Sequence, residues 1–151
     1  MLVRSAFAHE GTARLLVHRL KYEALAGIAD RMAVALEPLL GAEATALVPI
    51  PRVTARRWKY GIDPAAALAT ALARRVEIPV VHCLRAQFYL RRRAGTAASP
   101  RGQPSFRLRM PAPVGAVLID DVVTTGTTLV AASRVTGSRL AITFTASGSR
   151  G

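Results

Sequence analysis

Apolar positions along this chain alternate between helical stripes and short unbroken runs. Leu16 and Leu20 share a face of the stretch Thr12–Leu20, and Leu25, Ile28, Ala29, Met32 and Leu36 follow a 3.6-residue period closely. Residues 1–45 are therefore expected to be helical, with a helix end near Pro38. The runs Ala46–Ile50, Val80–Leu84, Ala116–Ile119 and Leu140–Thr145 have the length and character of buried strands. Between the first two lies the alanine-rich stretch Pro64–Arg75, with Leu68 and Leu72 on one face. Asp63 stands where it would cap that helix and Pro64 where it would open it. Phe106–Arg109 alternates like a short strand, and a last helix is expected over Thr127–Val135.

Strands alternating with helices predict an α/β fold: a mostly parallel, twisted sheet flanked by helices, with a helical N-terminal segment. No linker or repeat divides the 151 residues, so 1–151 reads as a single domain. Ligands of such sheets sit beyond the carboxyl ends of the strands. The loops after Ile50, Leu84 and Ile119 are thus expected to converge on one crevice. Two segments lack a clear period. Arg52–Gly61 is a basic loop carrying Trp58 and Tyr60, and residues 85–113 hold the run Arg91–Arg93 and a Gly-, Pro- and Ser-dense stretch.

Composition narrows the picture. The chain is 51% hydrophobic and 20% charged, which excludes a disordered chain. No apolar run approaches the roughly 18 residues of a membrane span, and no secretory-type leader is visible, so a cytoplasmic location without a membrane span is expected. Cys83 is the single cysteine and cannot form an intrachain disulfide or a cysteine-based zinc site; its apolar neighbours suggest a buried thiol. His9 and His18 have no partners at ligand spacing, and no protein-ligated metal is expected. The net charge of +12 favours polyanions such as nucleic acids or phosphorylated ligands. Only Lys21 and Lys59 of the 21 basic residues are lysine, a bias that a GC-rich coding sequence would also produce.

The most informative stretch is Val117-Leu118-Ile119-Asp120-Asp121-Val122-Val123-Thr124-Thr125-Gly126-Thr127-Thr128-Leu129. It reads as a buried strand ending in two acids, then a Thr/Gly turn, then a helix. Backbone N–H groups, hydroxyls and a helix N-terminus would gather at the strand end, where an anion is favoured. Gly126 allows close backbone approach, and Thr124, Thr125, Thr127 and Thr128 offer hydroxyls. Asp120 and Asp121 would repel a phosphate but suit sugar hydroxyls, because an ionised carboxylate only accepts hydrogen bonds. After Glu77 they are the only acids in the chain. Phosphate at one end and a ribose diol at the other describe a phosphoribosyl group. No Gly-Lys-Ser/Thr is present, so the stretch is not a Walker A loop.

These thirteen residues resemble the phosphoribosyl-pyrophosphate motif of the type I phosphoribosyltransferases. The order of features from about Phe7 to Phe144 is similar to the ComF-like branch of that family: Leu20-Lys21-Tyr22, then Val48-Pro49-Ile50-Pro51, then Gly61-Ile62-Asp63, then the motif. The resemblance implies a type I phosphoribosyltransferase-like fold. Asp120 and Asp121 would be the catalytic acids on the ribose hydroxyls, and Thr124, Thr125, Gly126, Thr127 and Thr128 the 5′-phosphate loop. Mg²⁺ would be held mainly through the ligand. Arg56, Arg57 and Lys59 would meet departing pyrophosphate or nucleic acid. It also implies departures. The branch's four-cysteine zinc module cannot be built here, Tyr60 stands where arginine usually precedes the loop glycine, and the middle loop keeps Gln87 and Leu90 but has no asparagine. Two readings stay open: transfer of a phosphoribosyl group to an unknown acceptor, or a DNA-uptake protein that binds single-stranded DNA while the ligand site regulates. A homodimer is also left open.

Overall fold

In the computed structural model, which describes residues 1–22, 26–52, 63–87 and 104–148, the elements run in the following order. Strand β1 spans Leu2–Ala8, helix α1 Gly11–Tyr22 and helix α2 Ala26–Leu36, followed by a 3-10 turn Glu37–Leu39. Strand β2 spans Ala46–Pro49, helix α3 Pro64–Val76, and strands β3 and β4 Leu84–Gln87 and Ser105–Leu108. Strand β5 spans Ala116–Val123, helix α4 Thr127–Thr136 and strand β6 Leu140–Ala146.

The sheet is four-stranded and parallel, in the order β1-β6-β5-β2. Its two inner strands, β5 and β6, are largely buried, as expected of strands covered on both faces. Alternation sorts their side chains between two cores. Val117, Ile119, Ile142 and Phe144 pack with Leu20, Met32, Leu36, Leu68 and Leu72, so α1, α2 and α3 cover one face. Leu118 and Ala141 pack with Leu129 and Ala132 of α4 and with Phe106 of β4 on the other. Cys83 is buried in this second core, and burial raises its thiol pKa. No described helix is long and apolar enough to cross a membrane.

The N-terminus departs from the helical expectation. Leu2–Ala8 is a strand, paired in parallel with β6 from Leu2–Leu140 to Ala8–Ala146. Its residues are largely exposed, with Leu2, Val3 and Phe7 all open to solvent, so burial leaves no period in the sequence. The strand exists because β6 supplies a ladder of hydrogen-bonding partners, a contact no local pattern can show. Val80–Leu84 also differs. Val80 makes only an isolated parallel bridge to Leu47, and the chain then leaves the sheet to form an antiparallel ribbon, β3 with β4. Asp63 does precede α3, with Pro64 in the first turn, but its side chain makes no capping bond.

One turn sets the approach of β5. Gly115 has φ +79°, and a Cβ there would stand 2.7 Å from the Glu43 carbonyl oxygen and 3.0 Å from the Thr45 side chain. Thr45 N–H donates to the Gly115 carbonyl, which ties this turn to the entry of β2. Gly115→Ala should lower unfolding free energy by about 1–3 kcal/mol through left-handed strain and the carbonyl clash. Gly41→Ala, where no atom lies within 4 Å of the new Cβ, should change it by less than about 0.5 kcal/mol. Urea unfolding of the pair checks this.

Candidate functional site

Strand β5 does not stop at Ile119; it carries both acids and runs to Val123. Side chains alternate along a strand, so Asp120 and Asp121 belong to opposite faces. Asp120 aligns with Thr143 of β6, and Thr143 with Ser5 of β1. The Ser5 Oγ and Thr143 Oγ1 are 2.7 Å apart. A polar row thus crosses three strands on the α4 side, at the carboxyl end of the sheet.

Asp121 lies on the other face, only 8% exposed. Lys21, at the end of α1, brings its Nζ to 2.6 Å from Asp121 Oδ2. In the sequence Lys21 stands out only as part of the segment Leu20-Lys21-Tyr22. Its pairing needs α1 to cross the sheet, so only its charge near a helix end could have signalled it. The Asp121 N–H donates to Asp120 Oδ1 at 2.9 Å, which links the two acids. Asp120 keeps a partly accessible surface. Desolvation of its carboxyl pushes the pKa well above the usual carboxylate range, and the Asp121 charge raises it further; Lys21 opposes the rise.

Beyond Val123 the chain bends through Thr124–Gly126 into α4. Gly126 has φ +74° and caps that helix without any side-chain bond. The first intrahelical bond shown there is Val130 N–H to the Gly126 carbonyl at 2.9 Å. The N–H groups of Thr127, Thr128 and Leu129 precede it and have no partner within the helix. Thr124, Thr125 and Thr127 are exposed, and the Thr125 and Thr127 hydroxyls lie 3.1 Å apart. Strand end, acids, turn and helix N-terminus are therefore contiguous, and the N-terminal partial charge of α4 faces the turn.

Strand β2 ends alongside. Pro49 aligns with Ile119, and Ile50 N–H donates to the Ile119 carbonyl at 2.9 Å. The segment Pro49–Arg52 thus leaves the sheet one strand, roughly 5 Å, from the start of the acid pair. Arg56, Arg57 and Lys59, with Trp58 and Tyr60, lie outside the described residues, as do Leu90 and Arg91–Arg93. Among the described residues no group of three or more His, Cys, Asp or Glu side chains comes together to hold a metal ion. No family model matches the sequence, and no curated protein matches it.

Two predictions follow from the acids. Lys21→Met leaves a buried Asp121 without its cation and should cost about 1–3 kcal/mol; a fully buried pair would cost more, but 28% of the Lys21 side chain is exposed. Adding Asp121→Asn should recover part of that loss, read as a coupling term in urea unfolding. The second concerns pH. Native Asp120 holds its proton where the unfolded chain has already released it. Stability should therefore fall as pH rises from the ordinary carboxylate range through the raised Asp120 value. Asp120→Asn should remove that fall in an unfolding series across pH.

Proposed function

We propose that this chain binds phosphoribosyl pyrophosphate at the carboxyl end of β5, as a phosphoribosyltransferase-like protein similar to the ComF-like branch. The observation that carries the reading is the left-handed turn at Gly126. It opens a helix N-terminus directly beyond a buried strand that ends in two acids. The 5′-phosphate sits on the free N–H groups of α4 and the hydroxyls of Thr124, Thr125, Thr127 and Thr128. Ribose hydroxyls donate to Asp120, a residue that keeps part of its surface accessible. Asp121 takes part only by sharing its carboxylate with Lys21.

Mg²⁺ fits this site in one way. With no cluster of three ligating side chains among the described residues, the ion would take most of its ligands from phosphate oxygens and water, and Asp120 is the carboxylate nearest at hand. Bound there, it would neutralise charge on the pyrophosphate. The chemistry such a site serves is displacement at ribose C1. A nucleophile's electron pair forms the new bond as the C1–O bond breaks, and pyrophosphate leaves with the electrons of that bond. The protein's share is positioning and electrostatics. Above its raised pKa, an ionised Asp120 beside C1 would suit the positive charge that develops on the ring.

Calorimetric titration with phosphoribosyl pyrophosphate and Mg²⁺ tests the reading. The wild type should bind with micromolar affinity. Asp120→Asn and Gly126→Ala should each weaken binding by roughly tenfold or more, the loss of one charge-assisted contact or of the turn geometry. Circular dichroism checks that both variants are folded. A folded wild-type protein that takes up no ligand at millimolar concentration would end the proposal.

A further inference from the structure

The cleft at the carboxyl ends of the strands continues into a cavity between the end of β2, the start of α3 and the base of the β3–β4 ribbon, on the β2 side of the sheet. The opposite edge of the sheet is β1. The two edges are finished differently. Strand β2 is four residues long and ends in Pro49. Its outer side is covered: Leu47 N–H donates to the Pro79 carbonyl at 2.9 Å, and Val81 N–H to the Leu47 carbonyl at 2.8 Å. Short length, proline and a covering segment all keep a sheet edge from pairing. Strand β1 has none of these. It spans seven residues with no proline and no glycine. Among the described residues only β6 pairs with it. Its single charged residue, Arg4, is committed to the Leu39 carbonyl at 2.8 Å.

The open edge has a definite chemistry. Leu2 donates its N–H inward, to the Arg139 carbonyl at 2.8 Å. Neighbouring residues of a strand present their N–H groups to opposite sides, so that of Val3 points to the open side. Beside this backbone stand the exposed apolar side chains of Leu2, Val3 and Phe7. Cations stand at both ends. Arg139 adjoins the start of β1, and Arg14 lies in the first turn of α1, just past the strand's end. Both are exposed, and neither forms an ion pair among the described residues. Glu10 offsets part of this charge, within a chain of net charge +12.

These features select an occupant. An open backbone edge accepts an extended strand, and the exposed side chains accept apolar residues at alternate positions. A second copy of this chain would set +12 against +12. We propose that the outer edge of β1 is a docking site for an extended acidic peptide, with carboxylate and apolar residues in alternation, which joins the four-stranded sheet as a fifth strand. Its backbone pairs with β1, its apolar side chains lie along Leu2, Val3 and Phe7, and its carboxylates are held by the field of Arg139 and Arg14. The site stands independently of the phosphoribosyl reading, since it uses no residue of the acid pair or the threonine turn.

Fluorescence anisotropy on the full chain tests this with labelled peptides of the same seven-residue length as β1. One alternates glutamate with valine. A second has lysine in place of glutamate. A third repeats the first with its central amides N-methylated, which keeps side chains and charge and removes backbone donors. The glutamate peptide should bind, more weakly as salt rises, and the other two should each bind at least about tenfold less tightly. Val3→Pro deletes the outward N–H and leaves the ladder with β6, so it should weaken the glutamate peptide about tenfold; Val3→Thr keeps the N–H and should stay within about threefold. Arg139→Glu should narrow the preference for glutamate over lysine. Circular dichroism checks that each variant is folded, and the N-methylated peptide puts the Val3→Pro question without altering the protein. Equal binding of the glutamate and lysine peptides, equal binding of the N-methylated peptide, or undiminished binding by a folded Val3→Pro chain would overturn the proposal. So would a folded wild-type protein that binds no peptide at millimolar concentration. Sedimentation velocity reads the competing occupant: a dimer of the chain alone, lost in Val3→Pro, would assign the edge to a second copy instead.

Discussion

The ion pair between Lys21 and Asp121 is the contact on which the acid end of this sheet depends. Strand β5 is buried on both faces, and it carries two carboxylates before it ends. A buried carboxylate without a partner is expensive, and a second one beside it is worse. The fold divides the two. Alternation turns Asp121 toward α1, where Lys21 neutralises it, and Asp120 toward the α4 side, where part of its surface stays open. Among the described residues Asp120 forms no ion pair, and desolvation, with the Asp121 charge beside it, raises its pKa. Helix α1 is thereby tied to the carboxyl end of the sheet as well as to the core through Val17 and Leu20.

Most of the architecture was legible in the sequence because it rests on strong local periods. The helices α2, α3 and α4, the inner strands β5 and β6 and the short strand β4 all lie where the apolar pattern puts them, within a residue or two at each end except at the C-terminus of β5. That exception is instructive. Polar residues ended the apolar run at Ile119, yet the ladder with β6 continues through Asp120 to Val123, since backbone pairing does not require apolar side chains. Strand β1 was hidden for the opposite reason: its pairing partner is far away in sequence and its side chains are mostly exposed. Val80–Leu84 has the composition of a core strand, but only Val80 bridges to β2.

The candidate site was legible in its residues and illegible in its division of labour. Acids, glycine and threonines could be picked out from their order alone. That Asp120 and Asp121 face different ways follows from strand alternation once the strand is known to continue through them. That Lys21 reaches Asp121 needs the packing angle of α1, which no spacing along the chain encodes. The cavity beside α3 was harder still. Arg52, Asp63, Arg85 and Arg109 line it from four separate segments; the loops after Ile50 and Leu84 were expected to converge, but nothing in the sequence places Asp63 or Arg109 with them.

The pairing of the first strand with the last has a consequence for how this protein is made. Ser5 and Thr143 touch across a separation of 138 residues. On a ribosome, β1 emerges well before its partner and stays unpaired until β6 has left the exit tunnel. The helices and the β2–β5 pair can form before that. Completion of the sheet is therefore a late, long-range event with a large loop-closure cost. Until it happens, the unpaired backbone N–H and C=O groups of β1 offer an open edge of the kind that chaperones hold and that neighbouring nascent chains can capture.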